Sequence, residues 1–223
     1  MKIFVALTLF CSLSLADIGK HLKSTAADAF DTQGLWILGV GATVTILATG
    51  LDQNIRDRSK DHQWMHESVS KVGEFWGSGV PEVGILGAQY FFDPENAVPG
   101  MEGLFLGNVA VVGLKYSVLR DRPDHSENVS FPSGHTQASF SLATSMSMSY
   151  GWKKALPFWG MAVLTGASRI ADDKHWLSDV AAGATLGILF GRAGFQHHWQ
   201  IIPNVRMDDG VVKETSFVAK INF

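Results

Sequence analysis

Three short segments of this chain carry residues whose types and spacing suit the handling of a tetrahedral anion. The first is KYSVLRDRP, residues 115–123. Lys115 and Arg122 are seven apart, so on a helix they fall within about 20° of one face and can point at one anion. Pro123 disfavours helix at Arg122, which places that guanidinium at a helix end beside a cleft. Read alone, the segment equally fits a solvated basic helix end. The second is FPSGHT, residues 131–136. Ser133 is a good N-cap, and the free N–H groups of a helix start form a ready anion site. Gly134 lets the backbone come close, and His135 falls in the first turn beside such an anion. A histidine at a helix start is, by itself, an ordinary surface residue. The third is SRIADDKHWLSD, residues 168–179. Read as an i,i+4 pair on a helix, Asp179 can accept the Nδ1–H of His175 and leave Nε2 free as a nucleophile. Arg169 adds a second guanidinium fork.

Together the segments supply two arginines, a lysine, a helix start and two histidines, one with its carboxylate. Phosphoryl transfer needs such a set: positive charge on the equatorial oxygens, an in-line nucleophile and an acid for the departing oxygen. Arginine forks bind oxygens in pairs and lysine adds a point charge.

These groups must be positioned by apolar helices. Stretches 34–51, 80–92, 101–119, 136–150, 155–168 and 177–195 are apolar and separated by polar segments, which predicts about six helices in one all-α bundle. Gly183, Gly187 and Gly191 recur at every fourth position and allow close helix-to-helix approach. Residues 52–66 are expected to form a charged surface connector, and residues 93–100, with two prolines and a glycine, a loop. From Trp199 to Phe223 the pattern changes to rough alternation around DDG at 208–210, a short β-like tail read as a hairpin.

Composition bounds the partners. With 223 residues, one domain is expected, spanning 17–198 with the tail at 199–223. Hydrophobic residues make up 46% and charged residues 17%, a balance that favours a membrane or a tightly packed bundle. A net charge of −3 gives no basic field for nucleic acid, so any anion must be held locally. Residues 1–16, MKIFVALTLFCSLSLA, read as a signal peptide, which implies export. Cys11, the one cysteine, lies within it.

The three ordered segments resemble the type 2 phosphatidic acid phosphatase family, whose site is shared with bacterial class A acid phosphatases and vanadium haloperoxidases. Lys115 with Arg122-Pro123, Pro132 to His135, and Ser168-Arg169 with His175 and Asp179 match its three motifs, over about residues 105–195. The resemblance implies a helical bundle with the site near one end. It implies that His175 attacks phosphorus and is oriented by Asp179, that His135 protonates the leaving oxygen, and that Lys115, Arg122, Ser133, Gly134 and Arg169 hold the phosphate. It implies no metal and no cofactor, with vanadate as an inhibitor, or as the prosthetic group of a haloperoxidase. Only eight residues separate Pro123 from Pro132, which leaves little room for a specificity insert. The expected substrate is a lipid phosphate monoester or pyrophosphate, such as phosphatidic acid, phosphatidylglycerol phosphate or an isoprenyl pyrophosphate, or another phosphomonoester, met at the periplasmic face of a bacterial inner membrane. A soluble periplasmic acid phosphatase of broad specificity is the alternative. Substrate headgroup and oligomeric state are not legible.

Overall fold

A computed structural model describes residues 15–196, 199–208 and 211–221. The signal-peptide reading rests on residues 1–14, outside the described residues, and on Leu15 and Ala16, which open a helix. The described helices are α1 (Leu15–Asp28), α2 (Thr32–Thr49), α3 (Asp52–His62), α4 (Glu67–Trp76), α5 (Val80–Tyr90), α6 (Pro94–Val118), α7 (Gly134–Tyr150), α8 (Trp152–Ala171) and α9 (Leu177–Ala193). The six apolar stretches correspond to α2 and α5 to α9. The tail is an antiparallel hairpin of β1 (Trp199–Asp208) and β2 (Val211–Ile221), with Trp199 opposite Ile221 and Asp208 opposite Val211.

Two expectations are corrected. The charged stretch 52–66 is largely exposed, as expected, but it is more than a connector: α3 occupies most of it and buries Asp52 and Ser59. Its charges bind other parts of the chain, which no local pattern reveals. Nor is 93–100 a loop, because α6 begins at Pro94 and carries Pro99 and Gly100 buried within it. Pro94 sits where its missing N–H costs nothing. Pro99 is tolerated inside because the turn packs closely: its carbonyl lies against Gly194, and Gly100 lies against Leu86 and Ser145.

The bundle is built around α7, which buries ten of its seventeen residues between α6, α8 and α9. Its contact with α9 uses the small-residue ladder. A Cβ at Gly183 would stand 2.4 Å from the Ser133 carbonyl oxygen, and one at Gly187 would stand 2.6 Å from that of Gln137. Only glycine allows this approach, and it brings the start of α7 against the start of α9. The Ser133 N–H then donates to the Asp179 carbonyl at 3.0 Å.

The outer helices are unlike α7. α2 buries only Gly34, Gly41 and Ala48, a stripe at intervals of seven that rests on α9. Leu35, Trp36, Val40, Val44, Ile46 and Leu47 are exposed. α2 and α6 are both long and apolar enough to cross a membrane.

Candidate active site

The expected site residues all lie at the end of the bundle where α6 and α8 finish and α7 and α9 begin. Lys115 occupies the last turn of α6. The helix stops at Val118 because Leu119 adopts a left-handed conformation (φ 49°), its N–H donating to the Lys115 carbonyl at 3.1 Å. Arg122 is therefore not on the helix face with Lys115, which corrects the seven-residue argument. It sits in a loop closed by hydrogen bonds from the Arg122 N–H to the Glu127 carbonyl (2.9 Å) and from the Ser130 N–H to the Arg120 carbonyl (2.9 Å). The loop turns the Arg122 guanidinium back toward the lysine, whose ammonium donates to the Val129 carbonyl.

Ser133 caps α7 as expected, its hydroxyl oxygen accepting from the Thr136 N–H at 3.4 Å and the Thr136 hydroxyl at 2.9 Å. Gly134 and His135 open the helix, so their N–H groups have no acceptor within it. Arg169 lies in the last turn of α8, deeply buried. Its carbonyl receives the N–H groups of Lys174 (3.0 Å) and His175 (3.2 Å), which folds the following loop back over the helix end.

His175 precedes α9, and Asp179 occupies the third position of that helix. The two are thus not an i,i+4 pair on one helix face. They meet because Asp179 caps the helix start, its Oδ2 accepting the Trp176 N–H at 2.9 Å, with His175 Nδ1 3.5 Å from the same oxygen. The Ser130 hydroxyl donates to that oxygen and lies 3.4 Å from Nδ1, between the two groups.

Sequence reasoning missed a set of groups behind this pair. Arg120 donates to Asp179 Oδ1, to Asp52 Oδ2 and to the Ser178 hydroxyl, each at 2.7 Å. Asp52 in turn accepts the Ser178 N–H at 2.9 Å and its hydroxyl at 2.6 Å. Arg120 also stacks over Trp176, 5.3 Å from the ring centroid, and Arg56 of α3 does so at 5.5 Å while pairing with Asp173 at 2.9 Å. α3 is therefore a brace that ties both site loops. Arg120 lies within the first segment singled out, but nothing local separates its role from that of Arg122.

Electrostatics join the five cationic and imidazole groups in one place. Burial pushes the His135 imidazole down to about 4, and the charges of Arg169, His175 and Arg122 act on it in the same direction. Burial lowers His175 too, against the pull of Asp179, with Lys115 and Arg122 reinforcing the fall. Burial raises the Asp179 carboxyl, but hydrogen bonds from His175 and Ser130 and the Arg120 charge outweigh it and hold the group below its usual value. Each histidine thus feels the other segments' cations, so the three segments converge on a single site. An anion seated there would act on both imidazoles in the opposite direction to the cations.

The chain is similar to known proteins across these segments. The family model described as PAP2 superfamily matches residues 101–203. A lipid A 1-phosphatase of Porphyromonas gingivalis is 43% identical over 84 residues, which is 36% of this chain and 19% of that protein. A lipid A 4'-phosphatase of Helicobacter pylori is 33% identical over 81 residues, 34% of this chain and 41% of that protein. The chain therefore spans well under half the length of these curated relatives. Among solved structures, LpxE of Aquifex aeolicus superposes with a TM-score of 0.60 at 24% identity, over 66% of this chain and 96% of that one. A transmembrane PAP2-type phosphatidylglycerolphosphate phosphatase of Bacillus subtilis superposes with a TM-score of 0.56 at 22% identity, over 77% and 94%. These two likenesses establish a shared all-α fold.

Proposed function

Because residues 101–203 of this chain match the PAP2 superfamily model, we propose that it is a membrane-bound phosphatase that hydrolyses phosphate monoesters of a lipid through a phosphohistidine on His175. The observation that carries this reading is the convergence of Lys115, Arg122, Arg169 and the start of α7 around two imidazoles, one of them backed by a buried carboxylate.

In the proposed reaction the lone pair of His175 Nε2 attacks phosphorus. The bond from phosphorus to the ester oxygen breaks with its electrons on oxygen, which takes a proton from His135. Water then attacks the phosphohistidine, giving a proton to His135 as the phosphorus–nitrogen bond returns its pair to Nε2, and inorganic phosphate leaves. Lys115, Arg122, Arg169, the Ser133 hydroxyl and the Gly134 N–H hold the three equatorial oxygens throughout. Asp179 keeps the His175 proton on Nδ1 and stabilises the charge that nitrogen gains. Side chains alone carry these steps, with no metal or cofactor in the scheme. The apolar exposed faces of α2 and α6 support lipid as the surrounding solvent, with the site at one bilayer surface.

Phosphate release from purified protein tests the reading, with phosphatidic acid, phosphatidylglycerol phosphate, a lipid A phosphate and a water-soluble ester compared side by side. A lipid monoester is expected to be turned over fastest, with vanadate inhibiting competitively because it can occupy the five-coordinate geometry. No release from any lipid ester, or indifference to millimolar vanadate, rejects the assignment.

The pH dependence follows from His135. With its pKa near 4 in the free site, the imidazole is neutral at pH 7 and has no proton to give. The proton must enter with the substrate, whose second ionisation lies at about 6. kcat/KM is therefore expected to be level just below pH 6 and to fall by about tenfold per unit above it, since raising the pH strips that proton from the free substrate. A kcat/KM independent of pH between 7 and 9 would remove His135 from the acid role.

A further inference from the structure

The cations assigned to phosphate are not open to solvent on all sides. Arg122 Nη2 pairs with Glu127 at 2.8 Å, the guanidinium 21% exposed and the carboxylate 55%. Arg169 Nη1 pairs with Glu74 at 3.3 Å, the arginine 4% exposed and the glutamate 54%. On each cation the buried partner is the arginine and the outer partner is the acid. Asp172 adds a third carboxylate, 2.6 Å from Arg169 Nη2. The site is thus a cationic floor under an acidic rim. Glu74 lies on the His135 side of it: a Cβ at Gly77, one turn on from Glu74, would stand 2.9 Å from His135 Cβ. The carboxylate is also among the charges that act on the His135 ring. His135 is the acid for the departing oxygen, so the leaving group passes this rim.

We propose that Glu74 and Glu127 set substrate class, admitting a single phosphoryl group on an uncharged leaving group and discriminating against diphosphates, whose second phosphoryl would lie among the rim carboxylates. This rests on the phosphatase reading and deepens it. The first phosphoryl group gains enough from the floor to displace the two glutamates from their arginines. A second one meets like charge there, since the exposed Lys71 near Glu74 is itself paired with Glu67 at 2.6 Å.

A matched lipid pair provides the test. Dioleoyl phosphatidic acid and dioleoylglycerol pyrophosphate share both acyl chains and differ by one phosphoryl group. With the full chain in the same detergent micelles, kcat/KM is expected to favour the monoester by at least about tenfold. In Glu74→Gln/Glu127→Gln the ratio is expected to fall by about tenfold, through a gain on the pyrophosphate. Both positions are exposed, so thermal unfolding should move little and identify any misfolded preparation. A wild-type preference for the pyrophosphate, or an unchanged ratio in the double variant, overturns the proposal. If neither lipid yields phosphate, the phosphatase reading is what fails. Calorimetric binding of inorganic phosphate and of inorganic pyrophosphate then decides the rim by itself. The double variant should gain affinity for pyrophosphate relative to phosphate, and equal changes for both overturn the inference.

Discussion

His175→Ala is expected to lower phosphate release by at least about 10^4-fold, as removal of a covalent nucleophile does when no neighbour can replace it. His135 cannot substitute, because it starts a different helix and, in the proposed scheme, stands on the leaving-group side of phosphorus. The fold should survive. Asp179 keeps Arg120, Ser130 and the Trp176 N–H as partners after the ring is gone, so no buried carboxylate is orphaned. The cost is that of truncating one buried side chain, roughly 2 kcal/mol. Phosphate release and thermal unfolding, measured together, separate the two effects. Residual turnover above a few per cent of wild type, in a folded variant, would assign the nucleophile elsewhere.

Arg120→Ala carries the second large effect, and on stability as much as on rate. The substitution leaves Asp179, fully buried, and Asp52, nearly so, without their shared cation. Removing one partner of a buried ion pair costs roughly 3 kcal/mol or more, because the remaining charge has lost both water and counter-ion. For a chain of this size that is a fall in Tm of roughly 6–12 °C. Lysine is not a conservative replacement, since one ammonium cannot present a fork to Asp52, Ser178 and Asp179 at once. Arg120→Gln/Asp52→Asn should recover part of the stability by neutralising the orphaned Asp52. It should not recover the rate, because Asp179 still lacks its guanidinium and orients His175 less firmly. Full recovery of both in the double variant would show that Arg120 acts on the fold alone.

Each of these outcomes depends on packing that is not local in the sequence. The residue types that do chemistry, and the six apolar helices that carry them, are legible because they follow from short-range rules: periodicity, helix starts, prolines and spacings of three or four. The N-cap at Ser133 and the glycine ladder from Gly183 to Gly191 belong to the same class, and both hold in the structure. Short-range rules also mislead where the chain turns. They place Lys115 and Arg122 on one helix face and His175 and Asp179 on another. In the structure Leu119 ends the first helix and Trp176 begins the second. Both pairs still share the site, brought there by a loop and by a helix cap.

The inventory of reactive groups, and the elements that bear them, can thus be read from residue order. Long-range packing alone makes Asp52 reach Ser178 across 126 residues, Arg120 back Asp179 across 59, and Glu74 and Glu127 cover the arginines. The physical reason is range. A charge in a local pattern reads as solvated, and its true partner is set by which helix ends meet, a matter of how glycine stripes and apolar faces dock over the whole bundle.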